Sequence, residues 1–124
     1  MSSARRLAEL VVVLEESDSN LLADFTKGVF SPDEDRFNRF FKVRSTDELD
    51  GRAAEVHLDD LKTNAQALVD AIFTLNIVPT ICVLRVIQYI GIDDEVGPGI
   101  SIDEAWVAVL ARLGGCVDLD IYVV

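Results

Sequence analysis

Acidic side chains in the C-terminal half are the residues whose types and spacing could do chemistry. Asp93, Asp94 and Glu95 are consecutive, and Asp118 and Asp120 are separated by a single leucine. Carboxylates at such spacing can bind a divalent cation, transfer protons or attract a cationic partner. Neither group matches the Asp-x-Asp-x-Asp-Gly loop with a following Glu that binds calcium. We predict a solvated loop for the first group and an exposed strand face for the second, with a weak cation site as the alternative.

The single histidine, His57, stands close to Glu55, Asp59 and Asp60. A lone imidazole can act as a base, but a catalytic triad also needs a positioned nucleophile and an orienting group. The chain contains no Gly-x-Ser-x-Gly motif. We therefore predict that His57 lies at the surface or caps a helix, and that the protein has no catalytic residue.

The two cysteines, Cys82 and Cys116, have no zinc-ligand spacing between them or with the histidine. Both fall in or beside predicted strands, where a free cysteine behaves as a small buried hydrophobe. A disulfide between neighbouring strands is the alternative. The turn at residues 97–99 lacks the lysine and the glycine spacing of a phosphate-binding loop. We predict no metal site and no cofactor.

Charge is the strongest global property of the chain. It has 22 acidic and 11 basic residues, a formal net charge of −11 and a pI near 4.3. Residues 55–124 alone contain 11 acidic and 3 basic residues, a net charge of −8. Such a surface repels nucleic-acid backbones and attracts a basic partner. Solubility is the alternative explanation of the same charge.

The length and the hydropathy of the chain limit the number and the class of its domains. With 124 residues, half of them hydrophobic, the chain fits one domain, residues 1–124, with a core that needs no disulfide or metal. No charge-free apolar run approaches the twenty residues of a membrane span. The first residues turn acidic too soon for a secretory signal. We predict a cytoplasmic protein.

Residues 36–44 combine four cations with three phenylalanines. Cations interleaved with aromatic rings can bind single-stranded nucleic acid. The competing interpretation is a strand of an antiparallel sheet, with the phenylalanines partly inward and the cations in solvent. We favour the strand, and we predict no nucleic-acid partner.

Hydrophobic periodicity predicts the order β, short α, β, a further short strand, α, β, α, β. The predicted strands are 7–15, 36–44, 52–57, 80–90 and 117–123, and the predicted helices begin near 21, 58 and 101. The second helix has an apolar stripe and ends near Asn76, and the third helix ends at Gly114. The residues of the stripe are Leu61, Ala65, Leu68, Ile72 and Leu75. The apolar run at 80–90 is typical of a strand covered on both faces. Ser101 and Glu104 have the spacing of a capping box, and alternation at 117–123 predicts that its apolar side is half-buried. The fold class is α/β (α+β), a single mixed sheet of about four to five strands packed with two to three helices.

The C-terminal sequence also resembles a known family. Residues 99–106 are Gly-Ile-Ser-Ile-Asp-Glu-Ala-Trp, residues 110–114 are Leu-Ala-Arg-Leu-Gly, and residues 117–122 are Val-Asp-Leu-Asp-Ile-Tyr. This ending resembles that of a family of small bacterial α/β domains of unknown function, which close with a Gly-x-Ser entry, a helix ending in Leu-Gly and an Asp-x-Asp-x-Tyr strand. The resemblance covers the C-terminal half and implies no active site. Similar small acidic domains occur as immunity proteins beside bacterial toxins.

We therefore predict a non-enzymatic, acidic, cytoplasmic protein that binds a basic protein partner, first of all a bacterial toxin that it neutralises. The residues assigned to the binding face are Asp93, Asp94, Glu95, Asp118, Asp120 and, as an aromatic anchor, Tyr122. The first alternative is a secretion chaperone, usually a homodimer, that binds an extended client segment. The second alternative is a small enzyme that uses carboxylates.

Overall fold

The computed structural model describes residues 5–34, 39–49, 51–91, 94 and 96–123. It contains five strands, three α-helices and one 3-10 turn in these ranges. The elements in chain order are β1 (Arg5–Val13), α1 (Glu16–Phe25), β2 (Asp33–Glu34), β3 (Arg39–Arg44), the 3-10 turn (Asp47–Leu49), α2 (Ala54–Thr74), β4 (Ile81–Ile90), α3 (Glu104–Leu113) and β5 (Cys116–Val123).

The strands form one mixed sheet in the order β2-β3-β1-β4-β5. The β2–β3, β3–β1 and β1–β4 pairs are antiparallel, whereas β4 and β5 are parallel. Parallel neighbours need a crossover connection, and α3 lies in the connection between these two strands. The predicted class, one mixed sheet packed with two to three helices, is confirmed.

The hydrophobic core lies between one face of the sheet and the three helices. Alternate residues of the two central strands face the helices, because successive strand side chains point to opposite faces. These buried residues pair in register across β1 and β4, as Ala8 with Val86, Leu10 with Leu84 and Val12 with Cys82. Leu22 of α1 and Trp106 of α3 join the same core. The predicted stripe of α2 is confirmed, with Leu61, Ala65, Leu68 and Ile72 buried.

The opposite face of the sheet, here called the open face, has no described helix on it. In β4 the residues that face the core are buried, and those on the other side are half-buried or exposed. The prediction that residues 80–90 are covered on both faces was therefore wrong. All three helices contribute to the core on one side of the sheet, so only alternate residues of the apolar run are buried.

All three predicted helix starts were also wrong. The helix α1 begins at Glu16, five residues before the predicted start. The helix α2 begins at Ala54, inside the stretch for which we predicted a strand. The helix α3 is capped by Asp103, whose carboxylate accepts a hydrogen bond from the Trp106 amide at 2.9 Å, rather than by Ser101. The predicted ends are confirmed, because Asn76 and Gly114 both have positive φ, at 53° and 67°.

None of the helices in the described ranges has the length and apolar character needed to cross a bilayer.

Candidate partner-binding edge of the sheet

The strand β5 forms one edge of the sheet, here called the β5 edge (Cys116–Val123). It has β4 as its only neighbour among the described strands, so alternate backbone N–H and C=O groups point away from the sheet. Natural edge strands are commonly shortened or carry proline or lysine, which hinder pairing with another chain. The other edge, β2, is only two residues long. The β5 edge has eight residues and contains neither proline nor lysine.

The acidic residues predicted on this strand lie together on the open face. Register pairs Asp118 with Arg85, Asp120 with Ile87 and Tyr122 with Tyr89. The Tyr122 and Tyr89 rings are stacked, with centroids 5.0 Å apart and planes at 17°. The structure thus brings Asp118, Asp120 and Tyr122 together in one row at the margin of the sheet, as their alternation predicted.

A row of alternating charges, here called the Glu9 ladder (Arg44, Glu9, Arg85 and Asp118), crosses four strands on the open face. Arg44 Nε lies 3.0 Å from Glu9 Oε2, and Arg85 Nη1 lies 3.2 Å from Glu9 Oε1. Arg85 Nε also donates to Asp118 Oδ2 at 3.1 Å and lies 3.8 Å from Asp120 Oδ2. The ladder therefore neutralises two cations within the protein and leaves its acidic end at the β5 edge.

The other side of β5 carries an apolar stripe (Val117, Leu119, Ile121 and Val123). These residues share the face of the core residues of β4, since Val117 pairs with Leu84 and Leu119 with Val86. Their side chains are nevertheless 40% to 76% exposed. The prediction that the apolar side of this strand is the half-buried one was wrong. The buried residues of α3 join the core with α2 and β4, and the Trp106 indole donates to Leu58 O, so α3 is held away from β5.

The predicted acidic loop after β4 has a different role in its described part. The Asp94 carboxylate is 4% exposed and pairs with Nη2 of Arg6, whose side chain is fully buried. Arg6 also donates to Gln88 Oε1 at 2.8 Å and to Gly97 O at 2.7 Å. Desolvation alone would raise the pKa of Asp94, but the hydrogen bonds from Arg6 and from the Val96 amide together lower it. Asp93 and Glu95 lie outside the described residues.

Sequence reasoning missed Arg6, Glu9 and Gln88 as buried polar residues. The sequence could have indicated two of them. Arg6 lies two residues before Ala8, and Gln88 lies two residues after Val86, so alternation places both on the core side of their strands. No such signal existed for Glu9. Its burial depends on arginines from two other strands, β3 and β4, that cover it.

The prediction of a surface or helix-capping His57 was wrong, because the side chain is fully buried. Its Nδ1 lies 2.8 Å from Ser45 Oγ, which also accepts a hydrogen bond from the Ala8 amide at 3.0 Å. The cause is the early start of α2, which places His57 in the first turn on the core side. A Ser–His pair could activate a nucleophile, but Ser45 is itself buried. The pair joins α2 to the end of β3 and the centre of β1.

Both cysteines are free, with Cys82 buried and Cys116 exposed. Burial, with a smaller contribution from Cys116, raises the pKa of the Cys82 thiol to about 11. A thiol with this pKa is a poor nucleophile at neutral pH. Within the described part of the chain, no group of three or more His, Cys, Asp or Glu residues has the arrangement to hold a metal ion.

The basic and aromatic stretch forms the strand β3 at Arg39–Arg44, which confirms the structural interpretation for these residues. Phe41 is buried, while Phe40, Lys42 and Arg44 share the open face, as their register with β1 shows. Lys42 Nζ lies 5.5 Å from the centroid of the Phe40 ring. Residues 36–38 lie outside the described ranges.

The negative charge is concentrated in the helical layer and the loops. The three α-helices contain eight acidic and two basic residues, whereas the five strands contain five acidic and six basic residues. Between α2 and α3, Glu55, Asp59 and Asp103 line a cleft of about 260 Å³ that has Leu58 and Trp106 among its other lining residues. Lys62 Nζ donates to Asp103 Oδ2 at 2.7 Å, so one of these carboxylates is already paired.

No protein-family model, no curated protein sequence and no solved structure gives a significant match to this chain. The resemblance of the C-terminal sequence to small bacterial domains therefore stays a prediction.

Proposed function

We propose that this protein is a non-enzymatic, cytoplasmic binding protein that holds a basic protein partner. A bacterial toxin that it neutralises is the first partner class to test, because similar small acidic domains occur as immunity proteins beside bacterial toxins. The proposed surface includes Asp118, Asp120 and Tyr122 at the β5 edge. It leaves out Asp94, whose side chain is buried against Arg6, whereas Asp118 stays 42% exposed beside Arg85.

The observation that carries the proposal is that three arginines form ion pairs within the protein. The Arg6 side chain is fully buried against Asp94, and Arg44 and Arg85 are paired with the buried Glu9. These three arginines belong to a chain that has only 11 cations against 22 acidic residues. The charge available to a partner is therefore strongly negative, and it speeds encounter with a basic surface.

The test is capture of binding proteins from lysate of the native organism, with washes at low and at high salt. We expect a basic protein that is retained at low salt, is released at high salt and loses its activity when bound, since electrostatic attraction is screened by salt. Recovery of no basic protein at either salt would refute the proposal.

Variants of the protein add a residue-level test. Asp118→Asn with Asp120→Asn should weaken capture of that protein. The control, Asp24→Asn with Asp70→Asn, removes the same charge from exposed positions on α1 and α2. Equal capture by both double variants would place the binding surface away from β5.

A secretion chaperone is the second candidate, favoured by the exposed apolar stripe of β5. Such a chaperone holds an extended client segment mainly through apolar contacts, without need of Asp118 and Asp120, so capture should survive high salt. The client should also be held through one terminal segment and regain its activity after release. A stable homodimer would favour this candidate over an immunity protein.

A further inference from the structure

The β5 edge presents a different chemistry on each of its two sides. Asp118, Asp120 and Tyr122 line the open-face side, and the apolar stripe lines the helical side. A strand added beside β5 would bring its own side chains within about 5 Å of these residues, alternately on one side and the other. The side chains that fit are cationic beside the aspartates and apolar beside the stripe.

We infer that the β5 edge binds an extended segment of the basic partner as a sixth strand of the sheet, with cationic and apolar side chains in alternation. This inference rests on the proposed function, because it states how and by which segment the partner is held. Backbone hydrogen bonds would supply the attachment, and the alternation would supply the specificity.

Charge complementarity favours such a partner over a second copy of this chain. In a two-fold antiparallel pairing of two β5 strands centred on Leu119, Asp118 of each copy would face Asp120 of the other. A pairing centred on Asp120 would bring the two Asp120 side chains face to face. Like charges directly opposite each other destabilise a strand pair, and each copy has a net charge of −11.

The composition of the edge supports the same conclusion. Asp118 and Asp120 oppose pairing with an acidic strand, but β5 is long, contains no proline and has exposed apolar residues, so it is a template for a strand of opposite charge. Here four apolar side chains that are 40% to 76% exposed lie along eight residues of strand. A bound strand would cover these side chains and pair the outward backbone groups in one step.

The experiment uses the full chain and two octapeptides, one alternating lysine with valine and one with four lysines followed by four valines. Both peptides have the same charge and composition, so only alternation differs between them. Binding is measured by titration at low salt, and amide hydrogen exchange is measured for β5. We expect tighter binding of the alternating peptide, with slower exchange at alternate residues of β5.

Backbone methylation of the peptide separates strand addition from simple charge attraction. Two versions of the alternating peptide have N-methyl groups on opposite edges of the strand. We expect methylation of one edge to weaken binding about fivefold for each lost hydrogen bond and methylation of the other to leave it nearly unchanged, since a lost hydrogen bond costs about 1 kcal/mol. This comparison leaves the protein unaltered, so it does not depend on the folding of a variant.

Two protein variants test the two sides of the strand. Asp118→Asn with Asp120→Asn should weaken the alternating peptide about two- to tenfold at low salt, as exposed ion pairs do. Leu119→Lys should weaken it further, because the new cation faces the apolar side of the bound strand. Asp24→Asn with Asp70→Asn is the control for net charge and should have little effect.

The outcomes separate the inference from the proposed function. Equal binding of the two octapeptides, with unchanged exchange in β5, would overturn the sixth strand while leaving a basic partner in place. Binding of neither octapeptide, with a basic protein still captured at low salt, would do the same. A homodimer that dissociates in Leu119→Lys would also overturn the inference, because a second copy would then occupy the edge.

Discussion

Glu9 and Arg85 face each other across β1 and β4, with Arg85 Nη1 3.2 Å from Glu9 Oε1. Glu9 is 2% exposed on a face of the sheet that lacks a described helix. The arginines of the neighbouring strands therefore bury it. The sheet thus uses its own cations to cover a carboxylate, and the charge left over at the edge strand is acidic.

Replacing Glu9 with glutamine should lower the free energy of unfolding by about 1–3 kcal/mol, since the hydrogen bonds of a charged acceptor are lost. Urea denaturation measures the loss. The control is Glu16→Gln, because that carboxylate is 78% exposed and lies 3.8 Å from Arg39; we expect less than about 0.5 kcal/mol there. Equal losses in the two variants would show that the Glu9 ladder does not stabilise the fold.

The pairing of Asp94 with Arg6 predicts an acid-sensitive contribution to stability. Desolvation opposes the shift, but hydrogen bonds from Arg6 and Val96 lower the pKa of Asp94 in the folded state. The unfolded chain therefore takes up this proton at a higher pH than the folded protein. The stabilisation is complete above the pKa of the unfolded chain, about 4, and is lost as the pH falls through the lower pKa of the folded state.

Asp94→Asn should therefore flatten the acid limb of the stability curve and lower the free energy of unfolding at neutral pH. Urea denaturation between neutral and acid pH measures both effects. Asp24→Asn matches the change in net charge at an exposed site on α1. If the two variants had the same pH dependence, the pairing with Arg6 would not be its source.

Gly115 should not tolerate a side chain, because of its close approach to the core. A Cβ added there would lie 2.9 Å from Leu110 Cδ2 and 3.2 Å from both the carbonyl oxygen and Sγ of Cys82. We expect Gly115→Ala to cost about 1–3 kcal/mol through overpacking. Gly99→Ala is the control, since nothing lies within 4 Å of its added Cβ. Thermal unfolding of the two variants checks the difference, and equal midpoints would contradict it.

The two cysteines should differ strongly in reactivity. Cys116 is exposed, whereas Cys82 is buried and burial raises its pKa to about 11. Alkylation of the native protein at neutral pH should therefore modify Cys116 first, with Cys82 modified only after unfolding. Mass spectrometry of peptides reports each site, and the Cys116→Ser variant should show no rapid modification. Rapid labelling of Cys82 in the native state would contradict the prediction, because it would show that the core around Cys82 opens readily to the reagent.

Local patterns in the sequence determined most of the elements. The helical stripe of α2, the left-handed ends at Asn76 and Gly114, and the alternation of β5 all follow from residue types within a few positions of one another. The strand formed by Arg39–Arg44 was predicted in the same way. These features depend on periodicity and backbone conformation, which are properties of a short segment.

Tertiary structure decided which side of a strand is covered and which charges meet. The sequence predicted alternation in β5, but the position of α3 over α2 and β4 leaves its apolar stripe exposed. His57 was predicted at the surface, but α2 begins earlier than predicted and places the His57 side chain in the core beside Ser45. Glu9 and Asp94 became buried because arginines that are distant in sequence, or on other strands, meet them in the fold. Such contacts depend on strand order and register, which no single segment encodes.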